Sequence, residues 1–236
     1  MKKYLLMFAA IVMFASSAIA QDDVAINTGK NRSGIFHYSG GVNFLFATGS
    51  KASLSSYRLT YGNWYKAKSD LTRLGVETIH GLGISKYAFI GAGIGFQYYL
   101  GNMLTEADKP MAWKTLAMPI FADLKGMYTF GDKYTPYITL GLGYTAILTS
   151  ADTDKGLIAF GEEYFSGSSK LKGGFYCDFG VGIKIERFNI GVGLQHQKFS
   201  EIVNFDSPVI YEGHYLYNVI TDMKFNSFYI KVGVYF

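Results

Sequence analysis

The last ten residues, SFYIKVGVYF (227–236), divide completely at a period of two. Phe228, Ile230, Val232, Val234 and Phe236 fall on one face, and Ser227, Tyr229, Lys231, Gly233 and Tyr235 on the other. A strand with one wholly apolar face has to bury that face, either against a soluble core or against lipid. Alternation alone does not choose between them.

The opposite end of the chain does. Residues 1–20, MKKYLLMFAAIVMFASSAIA, combine two lysines, an apolar run from Tyr4 to Phe14 and the small-residue pattern Ala18-Ile19-Ala20. This is the layout of a secretory signal peptide cleaved after Ala20. No cysteine follows the small residues, which argues against a lipid-modified N-terminus, and no later run of about 18 apolar residues offers a membrane-spanning helix. The expected mature chain is therefore secreted or a barrel. Without Lys2 and Lys3 the formal net charge falls from +4 to +2, too weak a bias for a nucleic-acid partner. Cys177 is the only cysteine, so neither an internal disulfide nor a cysteine-based metal site is available, and no cofactor motif is present.

The same period recurs upstream. Strands are expected over 35–47, 73–84, 87–100, 116–130, 137–148, 173–185, 188–197 and 227–236, about eight in all, with ten as the other count the pattern allows. The links at Ser85-Lys86, 131–133 and Glu186-Arg187 are short, whereas 48–69, 101–114, 149–170 and 201–224 are long. Short turns at one end and long loops at the other describe an antiparallel up-and-down barrel in the outer membrane, with the short turns in the periplasm. The expected organisation is a signal peptide (1–20), a short periplasmic tail (21–34) and one barrel (35–236). Pro119, inside the fourth strand, cannot donate to a ladder and predicts a bulge or a strand that starts after it.

A soluble barrel would turn the apolar face inward and carry charge on the other. Here the second face is mostly glycine (Gly91, Gly93, Gly95, Gly141, Gly143, Gly180, Gly182, Gly191, Gly193, Gly233), which suits a narrow lumen where large side chains need room. Aromatics recur at strand ends (Tyr87, Tyr98, Phe130, Tyr144, Phe188, Phe236), as in an interfacial girdle. Signal peptide, alternating strands, asymmetric loops and the terminal YIKVGVYF together resemble the small bacterial outer-membrane β-barrel proteins, the porin-like family that includes OmpA- and OmpX-type barrels. That resemblance implies outer-membrane lipids and the barrel-assembly machinery as partners, with the terminal Phe236 as part of the assembly signal. It specifies architecture better than function.

The expected lumen face carries Arg73, Glu77, Asp123, Lys125, Asp178, Lys184 and Lys231. Opposite charges confined in a narrow barrel predict an ion-pair network that fills it, with a charged constriction in a narrow porin as the alternative. Lys231 and Asp178 in particular are expected to share one network. His37 and Ser39 form a His-x-Ser pair of the kind used by lipid A deacylases, but both fall on the lumen face and no carboxylate partner can be placed beside them. His80 and His196 fall on the lipid-facing set, near an interface, and His214 in a loop; the four histidines show no metal-ligand spacing. The aromatic-rich stretches 55–66 and 207–225 are either recognition loops for an unnamed extracellular ligand or strand extensions above the membrane. The function expected from these residues is a non-enzymatic structural or binding barrel with a largely filled lumen.

Overall fold

A computed structural model describes residues 37–56, 65–67, 71–85, 87–104, 110–130, 133–149, 153–160, 163–211 and 214–236. The expected signal peptide and tail lie outside the described residues. The elements are β1 (His37–Ser56), β2 (Tyr65–Ala67), β3 (Thr72–Ser85), β4 (Ala88–Leu104), β5 (Pro110–Met127), β6 (Tyr134–Thr149), β7 (Thr153–Phe160), β8 (Glu163–Lys172), β9 (Gly174–Ile185), β10 (Phe188–Tyr211) and β11 (His214–Tyr235). Eight of them, β1, β3, β4, β5, β6, β9, β10 and β11, form a continuous antiparallel ring, closed by the pairing of β11 with both β10 and β1. At the seam the backbone of Phe236 exchanges two hydrogen bonds with Gly40, at 3.0 and 2.9 Å. Closure leaves no free edge in the ring, which is what a sheet needs where no water can satisfy its backbone.

Alternation in sequence becomes alternation in burial. Phe228, Ile230 and Val232 are 45, 40 and 49 % exposed, while Ser227, Tyr229 and Lys231 between them are 3, 1 and 7 % exposed. The apolar face therefore points out all round the ring, as expected, and the second face points into the lumen. Glycine on that face makes room for rings: a Cβ on Gly182 would sit 2.5 Å from the Tyr137 ring and one on Gly193 2.6 Å from Tyr229, and on Gly93 it would overlap Phe121. Large inward side chains facing bare backbone fill an eight-stranded lumen without widening it.

The link between β9 and β10 is tight. At β9–β10 only Glu186 and Arg187 intervene between the paired Ile185 and Phe188, and Glu186 takes a φ of 54°, a left-handed conformation that glycine ordinarily supplies at this position. Pro119 does not start the strand: β5 runs through it. The β4 ladder skips the rungs opposite Met118 and Pro119, and the register against β6 shifts between Leu116 and Ala117, so the bulge lies two to three residues from the proline.

The long spacers differ most from expectation. Instead of loops, much of 48–56, 101–104, 110–114 and 201–224 is strand, and 149–170 contains the β7–β8 hairpin. β8 pairs with β10 from Lys172 opposite Ser200 to Gly167 opposite Phe205, prolonging the line of β9. His214 is not in a loop but opens β11, paired with Tyr211. For the described residues of 207–225, strand extension is the arrangement found; most of 55–66 lies outside the described residues. The ring thus rises above its apolar belt as a taller sheet.

Candidate functional site

The lumen is where the chain gathers its buried charge. On β11 the pleat turns Lys231 inward between the outward Ile230 and Val232, and its ammonium lies 3.0 Å from Glu77 Oε1 (β3) and 3.0 Å from Asp178 Oδ2 (β9). Asn43 donates through Nδ2 to the same Glu77 oxygen at 3.2 Å and accepts at Oδ1 from Asn189 Nδ2 at 2.7 Å; Tyr229 donates to Asp178 at 3.2 Å. One cation thus bridges two carboxylates from opposite parts of the ring.

The other predicted charges form separate groups. Lys125 pairs with Asp123 on its own strand at 2.5 Å, and Thr139 donates to the second Asp123 oxygen at 2.6 Å. Lys125 also sits over the rings of Phe89 and Tyr235, and Lys184 over Tyr235, 5.3 Å from its centroid. Arg73 departs from the single expected network: its guanidinium donates to the neutral Gln197 (2.7 Å), Ser227 (2.9 Å) and Tyr99 (3.3 Å) rather than to a carboxylate. Gln197 in turn donates to Gln97 and Thr145 at 3.1 and 3.2 Å, and accepts from Tyr99. The amides were missed in the sequence because Gln and Asn on an inward face carry no pattern of their own.

Apolar layers cap these groups. Leu71, Tyr99, Ala117, Leu171, Phe199, Met223 and Phe225 pack beyond Arg73, and Phe205, Val209, Leu216 and Val219 pack further out, between the extensions of β10 and β11. At the short-turn end a cavity of about 70 Å³ is lined by Ser39, Thr135, Tyr137, Lys125, Lys184 and Tyr235. Ser39 therefore faces lysines and tyrosines, with no carboxylate among the described lining residues; the His37 side chain lies outside them.

The two outward histidines mark the two edges of the belt. His80 contacts Tyr38 and Thr78 (2.8 Å) and packs beside the ring of Phe236. His196 bonds Asn226 at 2.7 Å, beside Phe175. Between these levels the outer wall is mainly Val, Ile, Leu and Phe, with Ala92 and Ala122 among them, and with exposed Tyr87, Phe130 and Phe188 below and Tyr98 and Tyr144 above.

A closed eight-stranded antiparallel ring, apolar outside and polar within, is matched by solved structures. OprG of Pseudomonas aeruginosa, an outer membrane protein, superposes with a TM-score of 0.51 at 14 % identity, covering 84 % of this chain and 95 % of its own. The fold is that of a bacterial outer-membrane β-barrel. The outer membrane protein AlkL, solved in DMPC bilayers, also aligns, with a TM-score of 0.48 at 14 % identity over 87 % of this chain and 92 % of its own. No protein-family model matches the sequence, and no curated protein resembles it significantly. As an outer-membrane barrel, this chain sets its lipid boundary by residues and not by length: the outward face changes from Leu194 and Phe228 to His196 and Asn226 within one rung of the ladder.

Proposed function

We propose that this protein is a structural or binding barrel of the outer membrane, exported by its signal peptide, that holds a closed lumen and presents tall strand extensions outside the cell. The observation that carries this is the packing of the lumen. Lys231 with Glu77 and Asp178, Arg73 with Gln197 and Ser227, and the apolar layer of Phe199 and Phe225 occupy successive levels of the lumen, and an eight-stranded ring is only wide enough for side chains to fill. Phe236, whose backbone pairs with Gly40 across the seam, is proposed as part of the signal read by the barrel-assembly machinery.

Planar-bilayer recording tests the proposal. The reconstituted protein is expected to give no steady single-channel current above leak. A stable ohmic conductance would instead assign it as a narrow channel, with the Lys231 group as a charged constriction. Lipid A hydrolysis abolished by Ser39→Ala would replace both with an enzyme.

A further inference from the structure

Lys231 reaches Asp178 across a whole strand. The two stand on β11 and β9, and the strand between them, β10, carries glycine where the side chain has to pass: Gly191 pairs with Lys231, and Gly193 with Tyr229 and Gly180. Without a Cβ at those rungs the ammonium comes within 3.0 Å of Asp178 Oδ2. Gly141 on β6, paired with Asp178, gives the carboxyl its own space, since a Cβ there would run into Oδ1. From the opposite direction Glu77 on β3 places Oε1 3.0 Å from the same ammonium, and Asn43 on the intervening β1 donates to that oxygen.

The group holds what condensation of an amine with an acid needs. Its three members are buried, and the ammonium lies 4.6 Å from the centroid of the Tyr229 ring and 6.0 Å from that of Phe121, so aromatic faces stand where water would. Two carboxyls share one ammonium, which leaves one to move protons while the other reacts. Tyr229 donates to Asp178 Oδ2 at 3.2 Å and so draws electrons from the acid carbon. Among the described residues Glu77 Oε2 and Asp178 Oδ1 have no hydrogen-bond partner, and each carboxyl keeps an oxygen free to take a proton.

We propose that Lys231 and Asp178 condense to an isopeptide bond once the barrel has closed, with Glu77 as the proton carrier. In the structure the two groups are an ion pair, the state from which the reaction starts. Glu77 first moves a proton from Nζ to Asp178, turning the pair into a neutral amine beside a neutral carboxylic acid, the less costly form where water is excluded. Nζ then attacks Cγ and forms the C–N bond, and the C–O bond breaks as Glu77 delivers a second proton to the departing oxygen. One ammonium proton stays on the amide nitrogen and the other two leave in water. Glu77 is returned as a carboxylate, and the net charge of the group does not change. Groups held in contact act at effective concentrations of about 10⁵ to 10⁸ M, which favours condensation over hydrolysis. The bond ties β9 to β11 across β10.

Intact mass spectrometry of the full chain, before and after refolding from urea into lipid vesicles, tests the proposal. The folded chain should weigh less than the unfolded one by one water, and protease digestion should release a branched peptide joining residue 178 to residue 231. Glu77→Gln should fold and keep its full mass. Asp178→Asn should condense with loss of ammonia in place of water, which a purely structural Asp178 would not do. An unchanged mass in the unsubstituted chain, shown to be folded by heat-modifiable gel migration, overturns the proposal, and so does a water loss that maps to any other residue. Full water loss in Glu77→Gln overturns Glu77 as the proton carrier. The same gel assay on each variant separates these outcomes from failure of the barrel itself.

Discussion

Lys231 shows how a charge survives inside a membrane-spanning ring. Its ammonium is held between Glu77 and Asp178, so losing one carboxylate leaves the other in place. Asp178→Ala alone should therefore cost clearly less than Glu77→Gln/Asp178→Ala. The double variant strands a buried cation and should lose about 3–5 kcal/mol in urea unfolding from lipid vesicles. Strict additivity of the two single changes would argue that the groups do not share the lysine. Glu186 makes a second prediction at this scale. Its exposed pair with Lys133, 3.5 Å apart, contributes little, whereas its left-handed φ is disfavoured for a residue with a Cβ. Glu186→Gly should leave stability unchanged or raise it by up to about 1 kcal/mol in the same unfolding assay, and a loss of more than that would show the ion pair to matter. Which residues are charged and inward was legible from the two-residue period. That Arg73 would settle among Gln97, Gln197 and Ser227 was not, because the partner of a long side chain depends on rotamer and strand tilt, which spacing does not encode.

The strands read clearly only where they cross the bilayer. From Phe188 to Leu194 the apolar residues point out; from Phe199 onward Phe199, Val203 and Phe205 point in, while Ser200, Asn204 and Asp206 point out. The hydrophobic face changes sides at the membrane edge, since lipid demands an apolar exterior and water a polar one. A search for one continuous apolar face therefore ends the strand at the switch, and the remaining residues pass for a loop. The clusters on the two sides of the switch should come apart independently. Val219→Asp, placed among Phe205, Val209 and Leu216, should raise hydrogen exchange over 203–211 and 214–221 while 188–197 and 228–235 stay protected. Uniform loss of protection over both segments would mean that extension and belt form a single cooperative unit. In the belt itself, Val232→Lys puts a charge into hydrocarbon and should cost roughly 2–4 kcal/mol of stability in vesicles, the range for a position near the midplane.

For the whole molecule, one alternation decides where everything goes: the apolar set to lipid, glycine and large aromatics to a narrow interior, and charges into that interior, Lys231 and Lys125 beside carboxylates and Arg73 among neutral amides and hydroxyls. The ring, its eight strands and its orientation of faces follow from a pattern repeated eight times, which is why they could be read without coordinates. What the barrel binds rests on side chains above the belt, where the pattern inverts. The fold turns the outward face to lipid, and the proposed function requires the inward face to be sealed. Single cysteines placed in a Cys177→Ala background test both halves at once: Phe228, Ile230 and Val232 outward, Ser227 and Lys231 inward, each reconstituted in vesicles and treated with a lipid-soluble and a water-soluble thiol probe. The lipid-soluble probe should label 228, 230 and 232, and neither probe should label 227 or 231 at an appreciable rate. Lipid-phase labelling at 227 and 231 would invert the register, and rapid aqueous labelling there would show an open, water-filled lumen.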